Sequence, residues 1–165
     1  MQTEIEALFD NPPESYGKSH FTLFERFREG LNAGRIRAAE PDPSTRTGWR
    51  VNAWVKKGIL LGFRMGTLTD MSVDPLRQPF FDKSTWPVKR LAVEDGVRIV
   101  PGGSSIRDGC YVGRGVTCMP PMYINVGSYV GEGTMVDSHA LIGSCAQVVR
   151  NCHISAAAQI GGVLE

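Results

Sequence analysis

The sequence predicts a mainly β fold, in which a small α-rich domain at residues 1–95 precedes a parallel β-helix of hexapeptide repeats at residues 96–165. Three observations support this prediction. Apolar residues recur at helical spacing in the first half of the chain, apolar residues recur at an interval of six in the second half, and glycine becomes dense after residue 96. We therefore expect a helical domain followed by a repeat domain.

The composition excludes several classes of protein. The chain has 165 residues, of which 42% are hydrophobic and 21% charged, and its net charge is +1. This balance leaves no broad basic surface for nucleic acid or for an anionic membrane. No apolar run approaches the ~20 residues that span a bilayer, and the N-terminus lacks a signal-peptide pattern. We expect a cytoplasmic protein without nucleic-acid or membrane partners.

Two helices are predicted in the first half of the chain. Apolar residues at positions 21, 24, 27 and 31 predict an amphipathic helix over residues 22–33, which Gly34 ends. A second apolar pattern begins at residue 54, and Asn52 is placed to cap that helix. Gly58 and Gly62 weaken this second prediction. Residues 65–87 carry scattered prolines, so we expect irregular chain and short strands there.

An interval of six dominates the chain after residue 100. Eleven apolar residues keep this interval, and a mostly small residue follows four positions after each of them. Period six fits no α-helix, whereas three six-residue sides form an eighteen-residue coil whose strands stack about 4.8 Å apart. Glycines lie at or beside the corners, where the backbone turns sharply. The eleven predicted interior residues are Val100, Ile106, Val112, Cys118, Ile124, Val130, Val136, Ile142, Val148, Ile154 and Ile160.

The four cysteines show no pattern of a metal site or a disulfide framework. Cys110, Cys118, Cys145 and Cys152 form no Cys-x-x-Cys pair, and no histidine stands at a spacing suited to zinc. We expect them to be small buried residues, and we expect no metal.

Several segments resemble the tetrahydrodipicolinate N-succinyltransferase family. They are GEGTMVD at residues 131–137, GSCAQ at 143–147 and IGGVLE at 160–165, preceded in the family's order by WVKK at 54–57, FDK at 81–83 and VRIVP at 97–101. The resemblance spans roughly residues 20–165 and implies that the β-helix is left-handed. It also implies further coils and a closing domain. The repeat is still in phase at the last residue, so we expect a C-terminally truncated chain that is inactive alone.

The resemblance implies an acyltransferase of lysine and diaminopimelate biosynthesis. Its members transfer a succinyl group from succinyl-CoA, a co-substrate rather than a permanently bound cofactor, to the amino group of ring-opened tetrahydrodipicolinate. The class forms homotrimers. Two alternatives stay open, because hexapeptide β-helices host many functions: an acetyl-CoA-dependent transferase acting on the same or a related acceptor, and a non-catalytic β-helix scaffold.

Two residues match the family's substrate site. The acceptor is a dicarboxylate, which a guanidinium binds in a bidentate manner, so Arg98 is expected to bind substrate. The attacking amine must lose a proton to a nearby group. Asp137 is the matching position and is expected to bind substrate and act in catalysis. The alternatives are a solvated corner for Asp137 and a surface cation for Arg98.

The remaining candidates are less specific. Gly161 and Gly162 are expected to contact CoA, because backbone amides at glycine-rich turns contact the pantetheine arm in this class; a tight corner is the equal alternative. Other hexapeptide acyltransferases use a histidine base, but His139 has no family match, and a corner or interface role is preferred. A second carboxylate of the family lies beyond Glu165.

Overall fold

Three helices and two short hairpins form the first part of the fold. The computed structural model describes residues 1–164, so Glu165, the last residue of the IGGVLE segment, lies outside it. The helices are α1 (Gln2–Asp10), α2 (Lys18–Asn32) and α3 (Ala53–Met65). Strands β1 (Ala39–Pro41) and β2 (Trp49–Val51) pair antiparallel, as do β3 (Leu68–Asp70) and β4 (Phe81–Lys83). The second hairpin confirms the prediction of short strands within residues 65–87.

The two predicted helices are present, but the expected cap is wrong. Asn52 occupies the position before α3, yet its side chain makes no capping hydrogen bond. Its amide nitrogen donates instead to the carbonyl of Arg37 at 2.9 Å and to Oε1 of Glu40 at 3.0 Å. Asn52 therefore joins the β1–β2 hairpin to α3. The sequence patterns missed α1, whose fully buried side chain is Ile5.

Gly58 and Gly62 allow α3 to pack closely against α2. A Cβ atom at Gly58 would lie 2.5 Å from the ring of Phe27, and one at Gly62 would lie 2.5 Å from the ring of Phe24. Both phenylalanines belong to α2 and are buried. Helices α2 and α3 approach closely because these positions carry no side chain.

The second part of the chain is a parallel β-helix of two-residue strands, which confirms the predicted fold class. We name its three faces in chain order. The first face contains β5, β8, β11 and β14, the second contains β6, β9, β12 and β15, and the third contains β7, β10 and β13. The strands are β5 (Arg98–Ile99), β6 (Ser105–Ile106), β7 (Tyr111–Val112), β8 (Thr117–Cys118), β9 (Tyr123–Ile124), β10 (Tyr129–Val130), β11 (Met135–Val136), β12 (Leu141–Ile142), β13 (Gln147–Val148), β14 (His153–Ile154) and β15 (Gln159–Ile160).

The predicted hexad fills the interior of the β-helix. Val112 pairs with Val130 and Val130 with Val148, so successive coils are 18 residues apart. From residue 106 to residue 148, every hexad residue is buried. Cys110, Cys118 and Cys145 are buried too, as expected, whereas Cys152 is only partly buried.

The first coil departs from the predicted register. Ile99, not Val100, pairs with Cys118, so Val100 is wrong as the first interior residue. The corner between β5 and β6 is one residue longer than the other corners. Gly102 and Gly103 accommodate it with φ values of 146° and 90°, which side chains disfavour. The strict repeat therefore begins at Ile106.

The helical region packs on the third face and on the corner between the second and third faces. Val126 and Cys145 of that corner belong to the same buried apolar cluster as α1, α2 and α3. On the third face, Tyr111 and Tyr129 stack, and the guanidinium of Arg37 lies 3.8 Å from the ring centre of Tyr129. Within residues 1–164, no helix is long and apolar enough to cross a membrane.

Candidate active site

The first face of the β-helix carries the predicted substrate residues. Its outward positions form one column, because Arg98 pairs with Thr117, Thr117 with Met135, and Met135 with His153. Asp137 directly follows β11 and lies at the corner where the first face meets the second. The contacts that fasten the helical region lie elsewhere, on the third face and its neighbouring corner.

Asp137 is held by its own coil and by the next one. Its backbone N–H donates to the carbonyl of Ile154 at 3.0 Å, and its carbonyl accepts from the N–H of Ala140 at 3.1 Å. The carboxylate is fixed at both oxygens. Oδ1 accepts the backbone N–H of Ser138 at 2.7 Å, and Oδ2 lies 3.3 Å from Nε2 of His153. A carboxylate anchored in this way is oriented before any ligand arrives.

These neighbours favour the ionised form of Asp137. The backbone N–H of Ser138, and secondly the imidazole of His153, hold the pKa of Asp137 below its usual range. The side chain is 29% exposed, so a ligand on the first face can reach it. Asp137 therefore presents a negative charge to solvent at neutral pH, suited to hold an ammonium or to accept a proton.

His153 is the residue of this site that sequence reasoning missed. Its distance along the chain from Asp137 suggests no role at the site. The coil period contains the missing signal, since position 153 lies one coil above position 135 on the same face. His153 begins the strand that stacks on Met135 and Val136, so it lies beside the corner that follows Val136.

Arg98 lies on the same face as Asp137 but not against it. Strand β8 separates β5 from β11, so the two backbones are about two strand spacings, ~10 Å, apart. The backbone N–H of Arg98 donates to the carbonyl of Val116 at 2.9 Å, which fixes the start of the side chain. Arg98 is exposed. A cation and an anion thus both face solvent on this side of the β-helix.

Gly161 and Gly162 lie at a different corner from Asp137. They follow β15, where the second face meets the third. A Cβ atom at Gly143, one coil earlier, would lie 2.4 Å from the backbone nitrogen of Gly162, whereas one at Gly161 would meet nothing within 4 Å. Tight stacking thus requires glycine at Gly143. Within one chain, the structure does not bring Gly161 and Gly162 to Asp137.

The geometry of His139 is that of a corner residue. Its φ is 62°, and its imidazole is exposed. The same left-handed conformation recurs six residues earlier and later, at Gly133 and Cys145. The backbone N–H of His139 donates to the carbonyl of Pro121 in the coil below. These facts support the preferred corner interpretation.

A cavity of about 620 Å³ lies at the lower end of the corner between the first and second faces of the β-helix. It lies between the β3–β4 hairpin and the second face. Aromatic side chains of Phe80, Trp86 and Tyr123 line it together with Arg107, whose guanidinium forms an ion pair with Asp82. The sequence patterns did not reveal this cavity, because its two walls lie far apart along the chain.

Comparison with known proteins agrees with the resemblance. Residues 1–65 match the model of the family described as tetrahydrodipicolinate N-succinyltransferase N-terminal. The chain is 46% identical over 145 residues to a protein of Xylella fastidiosa, an alignment that covers 85% of this chain and 50% of the relative. It is 41% identical over 172 residues to a protein of Polynucleobacter asymbioticus, covering 99% of this chain and 61% of the relative.

A third relative, from Methylorubrum populi, is 43% identical over 173 residues, covering 100% of this chain and 60% of the relative. All three relatives are named 2,3,4,5-tetrahydropyridine-2,6-dicarboxylate N-succinyltransferase. The chain spans between 50% and 61% of the length of these relatives. Together with the three-sided β-helix and its preceding helices, these comparisons show that the chain is similar to tetrahydrodipicolinate N-succinyltransferases over the part of those proteins that it spans.

Proposed function

We propose that the protein transfers a succinyl group from succinyl-CoA to the amino group of ring-opened tetrahydrodipicolinate, a step of lysine and diaminopimelate biosynthesis in the cytoplasm. One observation carries this proposal beyond the similarity to these relatives. The ionised carboxylate of Asp137 is anchored at both oxygens on the face of the β-helix that also presents Arg98. Such a cation can pair with a carboxylate of a dicarboxylate amine, and such an anion can hold its amino group.

The reaction is a direct acyl transfer. The neutral amine attacks the thioester carbonyl, the new C–N bond forms, and the C–S bond breaks to release the thiol of CoA. Asp137 accepts the proton that the amine loses. Proton transfer by a positioned side chain contributes about 10²–10⁴ to the rate. No acyl-enzyme is required for this reaction.

Buried thiols are poor candidates for a covalent intermediate. Burial raises the pKa of Cys110 to about 12 and that of Cys118 to about 11. Both thiols therefore stay protonated at neutral pH, whereas a cysteine nucleophile must be a thiolate. This chemistry supports direct attack by the amine.

Arg98 binds the acceptor in this proposal. Its guanidinium pairs with one substrate carboxylate in the bidentate geometry that favours arginine over lysine. The amino group then lies toward Asp137, which follows the second strand along from β5 on the same face. A substrate held between the two residues is oriented for attack.

The donor site is proposed to combine two copies of the chain. Gly161 and Gly162 lie at the corner between the second and third faces, and Asp137 lies at the corner between the first and second. In a ring of identical subunits each contact joins two different surfaces, so the corner of one copy meets another face of its neighbour. A homotrimer, with CoA along the groove between β-helices, would bring the glycines of one copy toward Asp137 of the next.

A donor and acceptor comparison tests the proposal. The full-length protein is mixed with succinyl-CoA and the dicarboxylate acceptor, and thiol release is followed with a thiol-reactive dye. We expect release that depends on both substrates. Replacing succinyl-CoA by acetyl-CoA tests the donor, and omitting the acceptor controls for thioester hydrolysis. Faster thiol release with acetyl-CoA would identify the protein as the acetyl-CoA-dependent transferase instead. No release with either donor, in a folded trimer, would leave the non-catalytic scaffold.

A further inference from the structure

We infer that His153 and Asp137 form a proton-transfer dyad, in which His153 receives from Asp137 the proton lost by the attacking amine and passes it to solvent. The inference rests on the proposed function, because it requires Asp137 to act on an amine. His153 was not among the residues that the family resemblance pointed to.

The register of the first face brings the two side chains together. Strand β14 lies beside β11, and His153 pairs with Met135, two residues before Asp137. Nε2 of His153 lies 3.3 Å from Oδ2 of Asp137, while Oδ1 is occupied by the N–H of Ser138. Within residues 1–164, the titratable side chain that contacts this carboxylate is the imidazole of His153.

The exposure of the two side chains favours proton transfer from Asp137 through His153 to solvent. Asp137 is 29% exposed and His153 is 59% exposed, so the imidazole lies nearer to bulk water than the carboxylate. The apolar side chain of Met135 lies beside His153 in the column, and Arg98, the cation of this face, lies three strands away in the order β14-β11-β8-β5. The charged group in contact with the imidazole is therefore the carboxylate of Asp137.

The proton balance is closed without another reactant. Attack on the thioester leaves one surplus proton on the amine nitrogen, and Asp137 accepts it. In the neutral tautomer that carries its hydrogen on Nδ1, the lone pair of Nε2 takes the proton from Oδ2, and the resulting imidazolium releases the Nδ1 proton to water. The departing thiolate of CoA takes up a proton from solvent, so the products are an amide and a thiol. Imidazole suits this role because it gains and loses a proton near neutral pH.

Two substitutions separate proton transfer from simple positioning. His153→Gln keeps an amide that can hydrogen-bond Asp137 but cannot carry a proton at neutral pH, whereas His153→Ala removes both properties. We expect each variant to lose about 10-fold to 100-fold in kcat with KM changed by less than about twofold. Added imidazole should restore part of the activity of His153→Ala. Near-normal kcat in His153→Gln would overturn the inference and leave only a positioning role.

A measurement that needs no turnover keeps the two proposals distinguishable. The ¹⁵N chemical shifts of the His153 ring are measured by NMR in the parent protein and in Asp137→Ala. We expect the shift of Nε2 to change in Asp137→Ala, because Oδ2 of Asp137 lies 3.3 Å from this nitrogen in the parent. An unchanged Nε2 shift would overturn the dyad. If the parent is inactive but the shift changes, the proposed function fails while the contact of the two side chains stands.

Discussion

The backbone N–H of Ser138 and the imidazole of His153 both lower the pKa of Asp137, and this effect can be measured directly. A carboxyl whose pKa is lower in the folded state stabilises that state above its unfolded pKa of about 3.9, and this contribution disappears as the pH falls through the folded pKa. We expect the Asp137 carboxyl to titrate below about 3.9 by ¹³C NMR. In His153→Ala the midpoint should rise.

That titration has a clear contrary result. A midpoint for Asp137 above the ordinary aspartate value would mean that the Ser138 and His153 contacts do not persist in solution. Ser138→Ala serves as the matched control, because it retains the backbone N–H that donates to Oδ1. Its Asp137 midpoint should equal that of the parent.

Gly58 tests the close approach of α2 and α3. Alanine at Gly58 would press against the ring of Phe27, which is fully buried. Overpacking of a core costs about 1–3 kcal/mol, partly offset by the ~1 kcal/mol that alanine gains over glycine within a helix. We expect Gly58→Ala to lower the free energy of unfolding by up to about 2 kcal/mol in urea denaturation.

Gly17 provides the control for that substitution. A Cβ atom there would meet nothing within 4 Å, and its φ of −95° suits any residue. Gly17→Ala should change the free energy of unfolding by less than about 0.5 kcal/mol. Equal effects at the two glycines would contradict the helix packing described above.

At the scale of elements, the corners of the β-helix repeat one backbone conformation. From residue 109 to residue 157, positive φ recurs every six positions except at Pro121, and the lower coils place glycine there, at positions 109, 115, 127 and 133. The upper coils place His139, Cys145, Asn151 and Ala157 there instead. Asparagine tolerates this region better than alanine does, because its short polar side chain can hydrogen-bond locally. The upper corners therefore carry strain that glycine would remove.

Ala157→Gly is the test of that strain. The left-handed conformation costs a non-glycine residue roughly 1–2 kcal/mol, so glycine should raise the free energy of unfolding by up to about 1 kcal/mol. Thermal denaturation of the two proteins measures the difference. Ala156→Gly, in the same corner, is the matched control and should leave stability unchanged or slightly lower. A lower melting temperature for Ala157→Gly would contradict the corner geometry.

The hexad predicted the elements of the second half well, because an interior column needs an apolar residue on every side of every coil. It could not predict the register of the first coil, since the extra corner residue before Ser104 leaves the local apolar pattern unchanged. Asn52 followed a capping pattern, but its partners Arg37 and Glu40 come from the preceding hairpin. Tertiary contacts of this kind are not visible in local sequence.

The candidate site was predictable only in part, for the same reason. Motif resemblance identified Arg98 and Asp137, and the structure sets both on the first face. The contact of His153 with Asp137 depends on the stacking of coils, which a reading along the chain overlooks. The proposed roles of Gly161 and Gly162 depend on a neighbouring copy and stay predictions.

On the scale of the whole molecule, the helical region and the β-helix form two apolar clusters that meet at one corner. One cluster fills the β-helix, and the other joins the three helices to Val126 and Cys145. This arrangement supports the division at residues 95 and 96, which stays a prediction. The helical region occupies the third face, so the first face presents Arg98, Asp137 and His153 to solvent or to a neighbouring copy.

The proposed trimer is tested by mass in solution. Full-length protein should sediment at three times the mass of its chain, because the proposed donor site needs a corner of one copy beside another copy's Asp137. A stable monomer that still turns over succinyl-CoA would show that Gly161 and Gly162 do not act between copies.

The most direct test of the account is the activity of Asp137→Asn, which keeps the size of the side chain but removes its charge. Glu132→Gln is the matched control, since Glu132 is an exposed corner carboxylate that accepts a hydrogen bond from Tyr111 at 2.6 Å. We expect Asp137→Asn to lose at least about 100-fold in kcat/KM with succinyl-CoA, at nearly unchanged thermal stability, and Glu132→Gln to stay within about twofold of the parent. Activity of Asp137→Asn within about twofold of the parent would contradict the account.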